Sequence, residues 1–112
     1  MNSEIGIILN LIKKGNFFDA KTKCLKIINE NNNNSEFFNI FAIILFQLKE
    51  YEESISKWKK AIELNPKYFF AYNNLGNAFL KLKKYDQALI NFNKAIEIKP
   101  DYFEAYYGLG NV

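Results

Sequence analysis

The side chains that could carry out chemistry are few, and their types exclude most catalytic sites. The sequence has one cysteine, Cys24, and no histidine. A lone cysteine cannot form an internal disulfide or a metal cluster, and the usual transition-metal sites need histidine. No paired carboxylates converge from separate elements, and no glycine-rich phosphate loop or activated nucleophile is recognisable. We therefore expect no enzymatic activity and no cofactor or metal within these 112 residues.

The charged residues limit the possible partners. All 15 basic residues are lysines, and the net charge is +3. Nucleic acid is not expected, because arginine, whose planar guanidinium grips phosphate in two places, is missing. The apolar run at residues 5–12 is interrupted by Gly6 and Asn10, and it falls short of the roughly 20 apolar residues that span a bilayer. We expect no membrane insertion, and the lone cysteine fits the reducing cytoplasm.

The elements that must position the polar side chains repeat at a fixed period along the chain. The segment AIELNPKY at residues 61–68 returns 34 residues later as AIEIKPDY at 95–102. The segment KEYE at 49–52 returns as KKYD at 83–86, and the same step backwards reaches residues 15–20. Repetition at a fixed period indicates an array of identical structural units. The chain is predicted to hold three copies and the start of a fourth.

Each copy is predicted to be a helical hairpin, because its apolar residues fall three and four apart in two segments around a short polar break. Small residues should let the two helices of the third copy approach closely, at Gly76, Ala88 and Ala95. Aromatic rings should fill the space around them, at Tyr72, Phe79, Tyr85 and Phe92. Pro100 should end the second helix, and the asparagine run at 30–34 reads as a linker between hairpins.

The third copy resembles the tetratricopeptide repeat (TPR). It reads Tyr72-x2-Leu75-Gly76-x2-Phe79, then Ala88-x3-Phe92, then Pro100, which matches that pattern in residue type and period. The second copy matches with substitutions, and the first is weaker. The resemblance implies an all-α fold, a right-handed alpha-alpha superhelix of antiparallel helix hairpins, in one domain over 1–112. Its repeats would span 1–34, 35–68 and 69–102, with the first helix of a fourth at 103–112.

In the family that the chain resembles, the first helices of successive repeats line a concave groove in which ligands lie. In this chain the first half of that groove is apolar and the second half is rich in amides. The resemblance and helical geometry together predict the following peptide-binding residues: Ile5, Leu9, Asn39, Ile40, Ile43, Asn73, Asn74, Asn77, Lys81, Tyr107 and Asn111.

Each half of the groove has two interpretations. Asn74 and Asn77 could bind the backbone of an extended peptide, like the asparagine ladder of some superhelical relatives, or they could be solvated surface residues. The apolar residues of the first half form a strip that comprises Ile5, Leu9, Ile40 and Ile43. This strip could receive an amphipathic helix of a partner. Alternatively, these residues belong to the core, if the buried face of the helix is shifted by one residue from the predicted one. The clamp that chaperone-binding relatives use for acidic tails is not expected, since its positions hold Ile5, Leu9, Ile40, Phe70 and Asn74.

These features predict a non-catalytic scaffold with a protein or peptide partner. The alternative is the amino-terminal, substrate-recruiting arm of a larger enzyme, such as a glycosyltransferase or another transferase. Self-association is a further possibility, because the unfinished fourth helix leaves Tyr106 and Leu109 without cover. Cys24 takes the place that Trp58 and Phe92 take in later copies, and it is predicted to be a buried packing residue.

Overall fold

The structure, a computed structural model, describes residues 2–112, and that part of the chain is built from helices. The α-helices are α1 Asn2–Lys13, α2 Phe17–Ile27, α3 Ser35–Gln47, α4 Tyr51–Leu64, α5 Phe69–Lys81, α6 Tyr85–Ile98 and α7 Phe103–Gly110. A short 3₁₀ helix, Ile28–Asn31, follows α2. Three hairpins result, from α1 and α2, α3 and α4, and α5 and α6, and α7 begins a fourth.

The hairpins stack into a right-handed superhelix. Each α-helix from α1 to α7 contacts the next one along the chain, and α5 also contacts both α3 and α7. The first helices of the hairpins therefore form an inner layer, and α2, α4 and α6 form the outer layer. The described part of the chain measures 36 × 24 × 21 Å. The predicted all-α superhelix, with three hairpins and the first helix of a fourth, is confirmed.

The turn inside each hairpin repeats the same backbone geometry. Gly15, Lys49 and Lys83 occupy the same position in successive copies and have positive φ angles of 77°, 64° and 59°. In the last hairpin the Lys84 N–H donates to the Phe79 carbonyl at 2.9 Å, and the other two turns close in the same way. This closure is the Schellman motif, which satisfies carbonyls at the end of a helix. The polar break in each copy is thus a tight capping turn.

Proline ends the outer helices as predicted, and a tyrosine is hydrogen-bonded across the turn that follows. Helix α4 ends two residues before Pro66, and α6 ends two residues before Pro100. The residue before each proline is extended, because the proline ring disfavours the helical conformation there. The Tyr72 hydroxyl donates to the Pro66 carbonyl at 3.2 Å, and the Tyr106 hydroxyl donates to the Pro100 carbonyl at 2.8 Å. Each of these inner helices is thereby tied to the turn that joins it to the outer helix before it.

The small residues predicted to allow close helix contact lie in the core of the third hairpin. Gly76, Ala88 and Ala95 are all buried. A Cβ atom added at Gly76 would lie 2.6 Å from Cε1 of Phe92, and one added at Gly108 of α7 would lie 2.4 Å from the same atom. The ring of Phe92 therefore fills the space where α5, α6 and α7 meet, and the packing there leaves no room for a further methyl group.

One expectation about packing is wrong, and one segment does more than expected. Tyr85, expected to fill space between the helices, is 48% exposed, because it is the first residue of α6 and lies at the open end of the hairpin. The asparagine run connects α2 to α3 as predicted, and it also takes part in the packing. Asn31 is buried, and its Nδ2 donates to the Ile27 carbonyl at 2.9 Å. The Asn34 side chain accepts from the Phe37 N–H at 3.0 Å and caps α3, a common role of asparagine.

The first copy, which departs most from the repeat pattern, still forms a packed hairpin. Ile8, which replaces a small residue, is fully buried, and α1 contacts α2. Cys24 is also fully buried, which confirms its predicted packing role. Burial raises the pKa of the Cys24 thiol to about 12. Since the thiolate is the nucleophilic form of cysteine, this side chain is unreactive at neutral pH.

Candidate functional site

The residues predicted to bind a peptide lie on the inner helices or, for Asn111, just after α7, but they differ widely in exposure. The buried ones are Ile5, Asn39, Ile40 and Asn73. The half-buried ones are Ile43, Asn74 and Asn77. The exposed ones are Leu9, Lys81, Tyr107 and Asn111. The inner face therefore combines structural side chains with side chains that a partner can reach.

The apolar half of the predicted groove is mostly core. Ile5 and Ile40 are each 6% exposed and belong to the hydrophobic core. For Ile40 the reason is that neighbouring helices cover α3 on several sides, since it contacts α2, α4 and α5. A residue beside its main packing stripe therefore still meets an adjacent helix. Leu9 is exposed and Ile43 half-buried. Of the two interpretations, ordinary core describes Ile5 and Ile40, whereas Leu9 and Ile43 remain accessible to a partner.

Asn39 is the acceptor of a buried hydrogen-bond network between two hairpins. Its side chain is 9% exposed. The Asn39 Oδ1 atom accepts from the indole Nε1 of Trp58 at 2.8 Å and from Nδ2 of Asn74 at 3.4 Å. Trp58 belongs to α4 of the same hairpin, whereas Asn74 belongs to α5 of the next. The network thus gives a buried indole N–H the partner that it needs, and it ties two successive copies together.

Asn73 occupies the position of Asn39 in the next copy, but it lacks the equivalent partner. Its side chain is 5% exposed, and its Oδ1 atom is buried without a hydrogen-bond partner among the described residues. The cause is the aromatic residue of the outer helix. Phe92 stands where the previous copy has Trp58, and a phenyl ring has no N–H to donate. Asn73 is therefore a buried residue whose acceptor is unused.

Three predicted residues meet at a cleft of about 540 Å³ at the carboxyl ends of the inner helices. Asn77 and Lys81 of α5 line it, together with Asn111 just after α7. Its other lining residues are Phe46, Leu80, Lys83 and Tyr85, which sequence reasoning did not predict. The repeat period could have suggested two of these lining residues, because Phe46 and Leu80 are apolar side chains at the same position of successive copies. We call this space the inner cleft.

A second cleft, of about 330 Å³, lies between α4 and α6 on the outer face. Its lining is largely apolar and includes Ile62, Leu75 and Ile90. Ile90 is 66% exposed, whereas the equivalent residue of the second copy is Ser56. This outer cleft offers a matched control site for experiments on the inner one.

The sequence matches a family profile described as TPR repeat over residues 43–83 and 76–112. The chain belongs to the tetratricopeptide-repeat family. No curated protein sequence matches the TPR chain significantly.

Solved TPR structures share the fold over nearly the whole chain. The crystal structure of MamA superposes with a TM-score of 0.93 at 26% identity, covering 97% of this chain and 64% of the MamA chain. The first TPR of Spaghetti (RPAP3), bound to the HSP90 peptide SRMEEVD, gives 0.90 at 26% identity, covering 94% and 83%. An O-GlcNAc transferase of Thermobaculum terrenum gives 0.88 at 19% identity, covering 96% and 21%. The likeness to the transferase shows the fold alone.

The described residues of the TPR chain contain no group of three or more metal-ligating side chains of His, Cys, Asp or Glu. None of the described helices is long and apolar enough to cross a membrane. The inner cleft brings together three of the accessible predicted residues, Asn77, Lys81 and Asn111, and its chemistry is that of amides, ammonium groups and apolar walls.

Proposed function

We propose that this TPR chain is a non-catalytic scaffold that binds an extended or helical peptide along its inner layer. The observation that carries the proposal is the inner cleft, in which the amides of Asn77 and Asn111 border apolar side chains. An amide can donate to a peptide carbonyl and accept from a peptide N–H, so it can bind a backbone of any sequence. Asn74, whose Nδ2 is turned to Asn39, would contribute its remaining acceptor.

The proposal draws support from a TPR relative with a known ligand. The first TPR of Spaghetti (RPAP3) was solved with a bound peptide, and it is 26% identical to this chain over 94% of the chain's length. The two proteins share the superhelix that presents the inner face. We infer that the inner face binds the peptide in this chain, whereas the identity of the peptide depends on side chains that differ between the two proteins.

The proposal can be tested by selecting peptides from a random library with the whole chain as bait. The affinity of the enriched peptides is then measured by titration calorimetry for the wild type and for an Asn74→Ala/Asn77→Ala double variant. We expect the double variant to bind more weakly by about 1–3 kcal/mol, the usual cost of losing hydrogen bonds to a ligand backbone. Both residues are only half-buried, and the variant keeps the shorter bond from Trp58 to Asn39, so the fold should persist, which circular dichroism would verify.

The matched control is Ile90→Ser, which places in the outer cleft the residue that the second copy already has there. Its affinity for the enriched peptides should equal that of the wild type. The proposal would be overturned if no peptide were enriched. It would also be overturned if Ile90→Ser weakened binding while the double asparagine variant did not, because the peptide would then occupy the outer face.

A further inference from the structure

The inner cleft has a charge that its general role in backbone binding does not explain. Two lysines, Lys81 and Lys83, line it, and no carboxylate does. Both side chains are exposed, and neither forms a salt bridge within the part of the chain that the structure describes. By contrast, Lys60 and Lys94 of the outer helices each pair with a glutamate three residues ahead. The inner cleft therefore presents positive charge that the protein itself does not neutralise.

This basic character belongs to the third copy. The residues of the second copy that correspond to Asn77 and Lys81 are Ile43 and Gln47. The corresponding surface of the second copy therefore has one ammonium group fewer and an added apolar side chain. Lys83 corresponds to Lys49, so that charge is common to both copies. The difference at residues 77 and 81 turns a position of the repeat array into a polar, cationic site.

We propose that the inner cleft receives a carboxylate of the bound peptide, held by the ammonium groups of Lys81 and Lys83. Charge-assisted hydrogen bonds of this kind are stronger than neutral ones and add selectivity for acidic ligands. The amides of Asn77 and Asn111 bind the adjoining backbone, and Phe46 and Tyr85 provide apolar surface for the neighbouring side chain. The carboxylate is an aspartate or glutamate side chain or the carboxyl terminus of the peptide. This inference rests on the proposed function of the inner face.

The site differs from the clamp for acidic tails that other TPR proteins use. That clamp was not expected, since its positions hold Ile5, Leu9, Ile40, Phe70 and Asn74, and none of these carries a charge. Acid recognition on the inner layer would therefore use other positions. Lys81 lies in the last turn of α5 and Lys83 in the capping turn beyond it, so acid recognition would occur at the carboxyl end of the inner helices.

The test is a parallel selection from one random peptide library against the wild type, a Lys81→Gln/Lys83→Gln variant and Lys67→Gln. The first variant gives residue 81 the glutamine of the second copy. The second removes a charge from the turn before α5, at the opposite end of that helix, and serves as the control. Enriched peptides are then measured by fluorescence anisotropy with and without added salt. Each is also made with its acidic residue changed to the amide, and with its carboxyl terminus amidated.

We expect wild-type and Lys67→Gln selections to share an acidic group at a fixed place, and the double lysine variant to enrich peptides without it. Loss of both lysines should weaken binding of the acidic peptides roughly 2- to 10-fold, with the gap closing as salt is added. The amide forms should show which carboxylate is bound. Enrichment of peptides with no acidic preference, or a preference that survives in the double variant, would overturn this inference alone. A selection that enriches nothing would overturn the proposed function with it.

Discussion

The contrast between Asn39 and Asn73 allows a sharp prediction about stability. The two asparagines stand at the same position of successive copies and are both buried, but only Asn39 accepts a hydrogen bond from an indole N–H. Replacing each by leucine, which has nearly the shape of asparagine, removes the amide without opening a large cavity. We expect Asn39→Leu to destabilise the fold and Asn73→Leu to be neutral or stabilising.

The magnitudes follow from what each change leaves behind. Asn39→Leu leaves Nε1 of Trp58 buried without an acceptor, and an unsatisfied buried donor costs about 1–3 kcal/mol. Asn73→Leu removes an Oδ1 atom that is already buried and unpaired, so it relieves a cost of the same kind. The free energies of unfolding of the two variants should therefore differ by at least about 1 kcal/mol, although the chemical change is identical.

The assay is urea unfolding followed by circular dichroism and by the fluorescence of Trp58, the single tryptophan of the chain. With a denaturant slope of about 2 kcal/mol/M, a loss of about 2 kcal/mol lowers the midpoint by about 1 M. A Trp58→Phe variant and its combination with Asn39→Leu complete a double-mutant cycle. The two changes should cost less together than the sum of their separate costs, because the combination removes donor and acceptor alike.

Two results would refute this reasoning. If Asn39→Leu and Asn73→Leu lowered the midpoint equally, burial of an amide and not its partner would determine the cost. If the two changes in the cycle were simply additive, the 2.8 Å contact between Nε1 of Trp58 and Oδ1 of Asn39 would contribute nothing measurable to the free energy of unfolding.

Three further predictions concern single residues. Lys83→Gly should raise the free energy of unfolding by about 0.5–1 kcal/mol in urea, because φ is 59° at Lys83 and the left-handed strain outweighs the entropy of glycine; a loss of stability would contradict this. Cys24, whose pKa burial raises to about 12, should react with iodoacetamide at mildly alkaline pH only after unfolding, and rapid labelling of the native protein would contradict it. Gly76→Ala should destabilise by about 1–3 kcal/mol through its clash with Phe92, whereas Gly110→Ala, whose added Cβ would meet nothing within 4 Å, should not; equal thermal midpoints would disprove this.

The fold was predictable because the same structural signals recur in successive copies of the repeat. The repeat period, the hairpins and the prolines that end α4 and α6 follow from spacing within the sequence, and each recurs in at least two copies. The cap of α3 could also have been predicted, since Asn34 stands just before an apolar helical pattern, where asparagine favours the first turn. Local signals of this kind need no knowledge of the neighbouring hairpin.

The candidate site was less predictable because exposure on the inner layer depends on contacts between hairpins. Ile40 and Leu9 lie beside the packing stripes of their helices, yet Ile40 is core and Leu9 is exposed. Helical geometry places both correctly on their own helix, but it does not include the helices stacked above and below. The inner cleft was hidden for the same reason, since it joins residues from α3, α5, α6 and the end of the chain.

The binding properties of this TPR chain should therefore depend on the positions at which one copy departs from another. Where the second copy packs Trp58 with Asn39 and Asn74, the third packs Phe92 against Gly76 and Gly108, so a larger ring accompanies polar partners and a smaller ring accompanies glycines. The match between ring and partners is incomplete, because Asn73 keeps the amide of Asn39 while Phe92 has no N–H to donate to it, and the superhelix tolerates that difference. The change from Gln47 to Lys81 needs no such match, because the side chain is exposed. Charge at an exposed position of that kind can therefore change between copies without disturbing the contacts between helices.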